Sequence, residues 1–257
     1  MSNSPLVTYT RISPNRSSPR TRTVDRMTIH CYVGQVTAEQ GCSGSRFVNY
    51  DPVGGASCNY VVGRDGSIGL CVPESDRAWC SSSPSNDSRA ITIETASDTT
   101  HPYAVTKEAY KALLDLCTDI CRRYGKQRLV WLGDKDKTLA YQPAKDEMVL
   151  TVHRWFAAKA CPGQYLLDRQ GAIAEEVTRR LQEEIDTMTY EQWKEYMARY
   201  QKELAAQNAT MPDLVADAVA LGISADGARP RDLMTREEGM VMATAAVRAA
   251  KKDPRMK

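Results

Sequence analysis

The stretch Asn59-Tyr-Val-Val-Gly-Arg-Asp-Gly-Ser-Ile-Gly-Leu-Cys71 decides the fold. Two short β-rich runs, residues 59–62 and 67–71, flank Arg64-Asp65-Gly66. Glycine tolerates positive φ at no steric cost, so this is a hairpin signal. Moving outward, Val24 to His30 upstream reads as a strand, and Ala90-Ile-Thr-Ile-Glu94 and Arg128-Leu-Val-Trp-Leu132 downstream read as two more. Between these last two the apolar period changes from two to about 3.6. Thr106 stands at an N-cap, Tyr110, Leu113, Leu114, Cys117, Ile120 and Cys121 form one stripe, and Gly125 stops the helix. A second helix follows Pro162, with Ile173, Val177, Leu181 and Ile185 four apart on one face. Strands interleaved with helices predict an α/β layer domain.

The rest of the chain sets bounds on that domain. It has 257 residues, 42% hydrophobic and 26% charged, an ordinary globular composition long enough to bury a core without staples. Its 34 basic and 32 acidic residues leave a net charge of +2, too balanced for a nucleic-acid footprint. No apolar run approaches the ~18 residues of a membrane span. The stretch Met1 to Arg26 is rich in Ser, Pro and Arg and lacks the apolar core of a secretory signal. The eight cysteines are therefore expected in a reducing compartment, mostly as small buried residues, and no CxxC pair points to redox or zinc-ribbon chemistry.

Composition shifts near residue 187. Residues 187–257 hold no cysteine or histidine but seven of the ten methionines, which predicts a first domain over 1–186 and a small all-α module over 187–257. In the module, Tyr190, Trp193, Met197, Tyr200 and Leu204 are spaced like a coiled-coil seam, and Thr235 with Glu238 forms a capping box.

Only three histidines exist, so their placement is informative. His101 sits in a loop ahead of the first helix and reads as solvated. His30 ends the first strand, and His153 opens the run Val-His153-Arg-Trp-Phe-Ala-Ala-Lys159-Ala-Cys161-Pro162. A catalytic zinc site needs three protein ligands and an open position, and His30, His153 and Cys161 can supply them. On chemistry alone the same residues also read as satisfied core groups, because a lone His-x7-Cys spacing is common by chance.

Taken in order, Ile29-His30, Asn59 to Gly66, Arg77-Ala-Trp79, Asn86 through Glu94, and His153 to Pro162 resemble the zinc N-acetylmuramoyl-L-alanine amidases of type 2. That family includes phage endolysins, recycling amidases and animal peptidoglycan recognition proteins. The resemblance covers residues 5 to 186. The segments Ile12 to Arg20 and Trp79-Cys-Ser-Ser-Ser-Pro are similar to endolysins of phages infecting Gram-positive bacteria.

The resemblance implies a central mixed sheet flanked by helices, with Zn2+ as cofactor and His30, His153 and Cys161 as its ligands. It places Lys159 on the family's catalytic lysine and Glu94 on its catalytic glutamate. The position where some members carry a catalytic tyrosine is Cys58 here, and Tyr60 reads as sheet core. Asn59 and Trp79 fall where members line the substrate groove, although packing explains either equally well. Trp155 stands close to a ligand, and Cys31 is an open choice for a further cysteine near the site. The arginines at 11, 16, 20 and 22 read as a solvated arm draped over the domain.

The implied activity is endolysin-like cleavage of peptidoglycan between N-acetylmuramic acid and L-alanine, after release from the host cytoplasm. The C-terminal module would bind the cell wall or join two copies as a homo-oligomer. Neither nucleic acid nor membrane insertion is expected. The rival is a binding protein of the same fold that recognises peptidoglycan without cutting it.

Overall fold

The computed structural model describes residues 2–186 and, beyond them, residues 194, 195, 197 and 198. Among the described residues nine strands run in chain order: β1 (Tyr9–Thr10), β2 (Arg16–Ser17), β3 (Arg26–Cys31), β4 (Tyr60–Val62), β5 (Ile68–Leu70), β6 (Arg77–Ala78), β7 (Ala90–Thr95), β8 (Arg128–Val130) and β9 (Glu147–Thr151). Seven of them form one mixed sheet in the order β1-β5-β4-β7-β3-β9-β8. Every pairing in it is parallel except the β4–β5 hairpin. β2 and β6 form a separate antiparallel pair.

The hairpin lies where the sequence puts it. Gly66 adopts φ +82°, and the Asp65 carboxylate accepts the Ser67 N–H across the turn. The first long helix, α4 below, is also as expected. Within residues 2–186, seven α-helices lie between and after the strands: α1 (Ala38–Cys42), α2 (Ser45–Val48), α3 (Pro84–Asp87), α4 (Lys107–Arg123), α5 (Lys135–Ala140), α6 (Gly163–Leu167) and α7 (Gln170–Asp186). The Thr106 hydroxyl accepts the Ala109 N–H at the start of α4, and Gly125 stands just past its end at φ +64°.

The central strand β3 shows why, among the described residues, the two long helices α4 and α7 pack against the same apolar face of the sheet. Its residues are all buried, yet they alternate in character. Met27, Ile29 and Cys31 join Ile91, Ile93, Met148 and Leu150 in the main apolar core, with Leu113, Leu116 and Ile120 of α4 and Ile173 and Val177 of α7. The opposite face carries Arg26, Thr28 and His30. There Thr28 is the register partner of both Thr92 and Thr151, so a row of hydroxyls crosses three strands. Buried hydroxyls need partners. Asn86 of α3 supplies them: its amide donates to Thr28 Oγ1 (3.0 Å) and Ser81 Oγ (3.2 Å), and its carbonyl accepts from Arg26 (3.3 Å) and Thr151 Oγ1 (3.2 Å).

Three expectations are adjusted. The strand read from Val24 begins at Arg26 and runs one residue further, and the one read to Leu132 ends at Val130. The strand β9 has no alternation to betray it, because all five of its residues are buried. Of the N-terminal arginines, Arg11 and Arg22 are exposed as expected, whereas Arg16 and Arg20 are not solvated. Arg20 donates to the backbone carbonyls of Glu74, Asp76, Asp87 and Ala90, and Arg16 pairs with Asp76 at 3.0 Å. Unpaired carbonyls in these loops created a demand that a flexible guanidinium meets.

Of the C-terminal seam, Met197 is helical, whereas Tyr190, Trp193, Tyr200 and Leu204 lie outside the described residues, as does the capping box at Thr235 and Glu238. No helix among the described residues is long and apolar enough to cross a membrane.

Removing the Asn86 side chain leaves the Thr28 and Thr151 hydroxyls only each other, 2.7 Å apart, and takes an acceptor from the buried Arg26 guanidinium. Asn86→Ala is expected to lower unfolding free energy by about 1–3 kcal/mol, the cost of leaving buried polar groups unmet. Urea denaturation of the full chain checks this, and a loss within ~0.5 kcal/mol contradicts it.

Candidate active site

Parallel pairing of β3 with β7 sets His30 opposite Glu94 in register, on the polar face and at the C-terminal ends of both strands. Neighbouring strands lie ~4.8 Å apart, so two side chains that share a rung are held within reach of each other. His30 is fully buried, and its Nδ1 stands 3.9 Å from Glu94 Oε1.

The strand on the other side of β3 delivers the remaining groups. After β9 the chain passes through Val152 into a single 3-10 turn, His153–Trp155. The His153 ring meets that of His30 edge-on, with centroids 5.2 Å apart at 61°. The following loop folds back so that Arg154 N–H donates to the Cys161 carbonyl, and Cys161 Sγ then lies 3.3 Å from His30 Nδ1. One ligand-type atom from each of His30, His153 and Cys161 lies within 4.8 Å of the others. The structure thus brings together the three residues that the sequence singled out.

Burial, and then His153 beside it, pushes the His30 pKa down to about 3; burial, and then Lys159, lowers that of His153. Both imidazoles are therefore neutral, the form that ligates metals. A hydrogen bond with Cys31, then burial, raises the Cys161 thiol. Glu94 is pushed up to about 8, chiefly by burial and then by Cys31, while its hydrogen bond from Cys80 acts the other way. For the two acidic groups a buried dication at this point reverses the shift, since it favours thiolate and carboxylate. Glu94 Oε2 is buried without a hydrogen-bond partner. Two neutral imidazoles, one thiol and an unmet carboxylate oxygen fit a zinc ion with one coordination position left open. Cys31 belongs to no such donor group among the described residues; its thiol hydrogen-bonds Cys161 instead.

The site opens into a cleft of about 980 Å³ whose lining includes Glu94, His153, Cys161, Lys159 and Trp79. Lys159 stands exposed beside the two cleft ligands. Trp79 is half-buried, donates from Nε1 to Ser17 Oγ at 3.0 Å, and has the Tyr50 ring 6.4 Å away. Asn59 is elsewhere. It is fully buried beneath β4, its amide donating to Val72 and Pro73 carbonyls and its oxygen accepting from Thr92, so the structure places it in the sheet framework and not on the cleft. Tyr60 is core, with its hydroxyl on Glu74. His101 is exposed, and Trp155 stacks on Trp131 at 5.2 Å and 2°.

Two cleft residues escaped the sequence reading. Ser82, at φ +60°, shares a hydrogen bond of 3.0 Å with His153 Nε2. Cys80 Sγ lies 3.8 Å from Glu94 Oε1. Both belong to the run Trp79-Cys-Ser-Ser-Ser-Pro, which carried a resemblance but no chemistry, because its serines and cysteine match no ligand spacing.

With this geometry in hand, the comparisons with known proteins can be set beside it. The model of the family described as N-acetylmuramoyl-L-alanine amidase matches residues 20–164, more than half of the chain. No curated protein matches in sequence. Among solved structures the chain is similar to PlyL, at 17% identity over 66% of this chain and 95% of that one, with a TM-score of 0.47. It is similar to the catalytic domain of XlyA at 17% identity over 66% and 99%, with a TM-score of 0.42. A third is the N-acetylmuramoyl-L-alanine amidase LysC from Clostridium intestinale, at 17% identity over 63% and 95%, with a TM-score of 0.38.

Proposed function

The chain belongs to the N-acetylmuramoyl-L-alanine amidase family and is a peptidoglycan amidase, and from that premise we propose that it is a zinc-dependent endolysin. The bond cut is the amide between the lactyl group of N-acetylmuramic acid and the L-alanine of the stem peptide. The observation that carries this reading is the convergence of His30, His153 and Cys161 on one point beside Glu94.

His30, His153 and Cys161 would hold the zinc ion. When bound, zinc supplies Lewis-acid polarisation of the scissile carbonyl and acidifies water. Glu94 then does the proton work. Its carboxylate, favoured in the ionised form by a neighbouring cation, takes the proton of the attacking water and passes it to the leaving amine. Lys159, on the same cleft wall, offers positive charge to the oxygen that becomes anionic. Trp79 presents an aromatic wall to the substrate, while Asn59 supports the strand from behind. Ser82 holds the far nitrogen of His153 and so fixes its ring.

Residues 187–257 are proposed to target the cell wall, or failing that to join two copies of the chain. The enzyme is proposed to reach the wall on release from a phage-infected cell.

Digestion of purified walls tests the reaction. New L-alanine amines without new reducing sugar ends are expected; sugar ends, or neither product, contradict it. Glu94→Gln should keep zinc by elemental analysis and lose about 10²- to 10⁴-fold in turnover, and Lys159→Met about 10²- to 10³-fold. His30→Ala and Cys161→Ser should lose the metal itself, and full zinc content in both removes the ligand assignment.

A chain ending at Asp186 tests the module. It is expected to hydrolyse soluble muropeptide while binding and lysing intact cells less well. Lysis at the full rate, with an intact chain that is monomeric by light scattering, contradicts both roles.

A further inference from the structure

His30 belongs to two groups of metal-type donors. One is the triplet with His153 and Cys161. In the other, a nitrogen of His30, Cys80 Sγ and a Glu94 carboxylate oxygen also lie within 4.8 Å of one another. We propose that Cys80 and Glu94, beside His30, form a second, inhibitory site for a thiophilic divalent cation.

Four observations support the assignment. Cys80 Sγ and Glu94 Oε1 already stand 3.8 Å apart, so one ion can touch both without rearrangement of the strand. The sulfur is fixed in place, since the backbone N–H groups of Cys80 and Ser81 both donate to the Asp87 carboxylate. Cys80 and Glu94 both line the cleft, so an ion from solvent can reach them. Glu94 Oε2 is buried with its hydrogen-bonding capacity unmet, which leaves an acceptor aimed at nothing the protein provides.

The donor set decides which ion fits. A thiolate with a carboxylate suits zinc, cadmium or cobalt, whereas magnesium and calcium prefer oxygen alone. His30 Nδ1, 3.3 Å from Cys161, is the nitrogen shared by the first triplet. Once it is taken, the second ion keeps two protein donors and completes its shell with solvent, so it binds more weakly and after the first. Binding is acid–base chemistry without electron transfer: the S–metal bond forms as the Cys80 thiol proton leaves to water.

The consequence rests on the reading of Glu94 as the base. A carboxylate held by a second cation cannot accept the proton of the attacking water, so excess metal switches the enzyme off. Free metal above one equivalent then acts as a brake located on a residue outside the first ligand set.

Cobalt(II) titration of the metal-free full-length chain tests this, followed by absorption and by wall hydrolysis. Two binding steps are expected. The first brings one thiolate-to-cobalt charge-transfer band, from Cys161, and a rise in activity. The second adds a further such band, from Cys80, and lowers activity by about 10²-fold or more, the share a positioned base supplies. In Cys80→Ser the second band and the fall are both lost. A wild-type chain that saturates at one equivalent with no inhibition overturns the proposal, and that result needs no variant. So does a Cys80→Ser chain inhibited like the wild type. Absence of the first step and its activity is the separate failure of the zinc-amidase reading.

Discussion

A slip of one residue in the pairing of β3 with β7 would turn His30 into the helix-covered core and push Ile29 or Cys31 onto the polar face, because side chains alternate strictly along a strand. The register that prevents this is held from both sides. Met27 and Ile29 are anchored among Ile91, Ile93 and Leu150, while Thr28 meets Thr92 and Thr151 on its own rung. With that register set, His30 and Glu94 are neighbours by geometry alone, and β9 brings His153 up on the far side. The cleft chemistry follows from where three parallel strands end. This agrees with the general tendency of open α/β sheets to place their sites beyond the carboxyl ends of the strands.

The polar face has a cost that the structure meets locally. Hydroxyls, an arginine and an imidazole lie buried against loops with no thick apolar layer over them. Asn86 satisfies Thr28 and Thr151 of the hydroxyl row, Asn59 takes Thr92, and Asp87 of the same short helix as Asn86 caps the backbone of Cys80 and Ser81. One turn of helix therefore ties the floor of the site to the Trp79–Ser83 rim. His30 Nε2 and Glu94 Oε2, the pair assigned to the chemistry, are two of the five buried side-chain atoms left unmet among the described residues; the others belong to Gln35, Thr95 and Gln170.

Elements with a period were legible in the sequence. The hairpin at Gly66 and the helix from Thr106 to Gly125 each carried turn or cap residues at fixed offsets. The strand Glu147–Thr151 did not, since burial on both faces removes alternation and five apolar-compatible residues look the same in a strand or a helix. The His-His-Cys set was legible because histidine is scarce in this chain and because the motif order resembled a known family. Asn59 shows the limit of that route. A buried amide spent on backbone carbonyls and a groove-lining amide occupy the same place in a motif, and only the hydrogen bonds from Val72, Pro73 and Thr92 separate them. Ser82 and Cys80 were missed for a different reason: they reach His153 and Glu94 through folding of an irregular loop, and no spacing rule covers such contacts.

On the proposed reading, two imidazoles and one thiolate would hold the metal and leave the fourth position to solvent. X-ray absorption at the zinc edge, on the full-length protein loaded with one equivalent of zinc, reads that donor set directly. The account predicts one sulfur and two imidazole nitrogens, with the remaining scatterer a light oxygen. Two sulfurs would mean that Cys31 or Cys80 closes the shell and the site is structural; a shell without sulfur would mean that Cys161 is not a ligand, and either result contradicts the account.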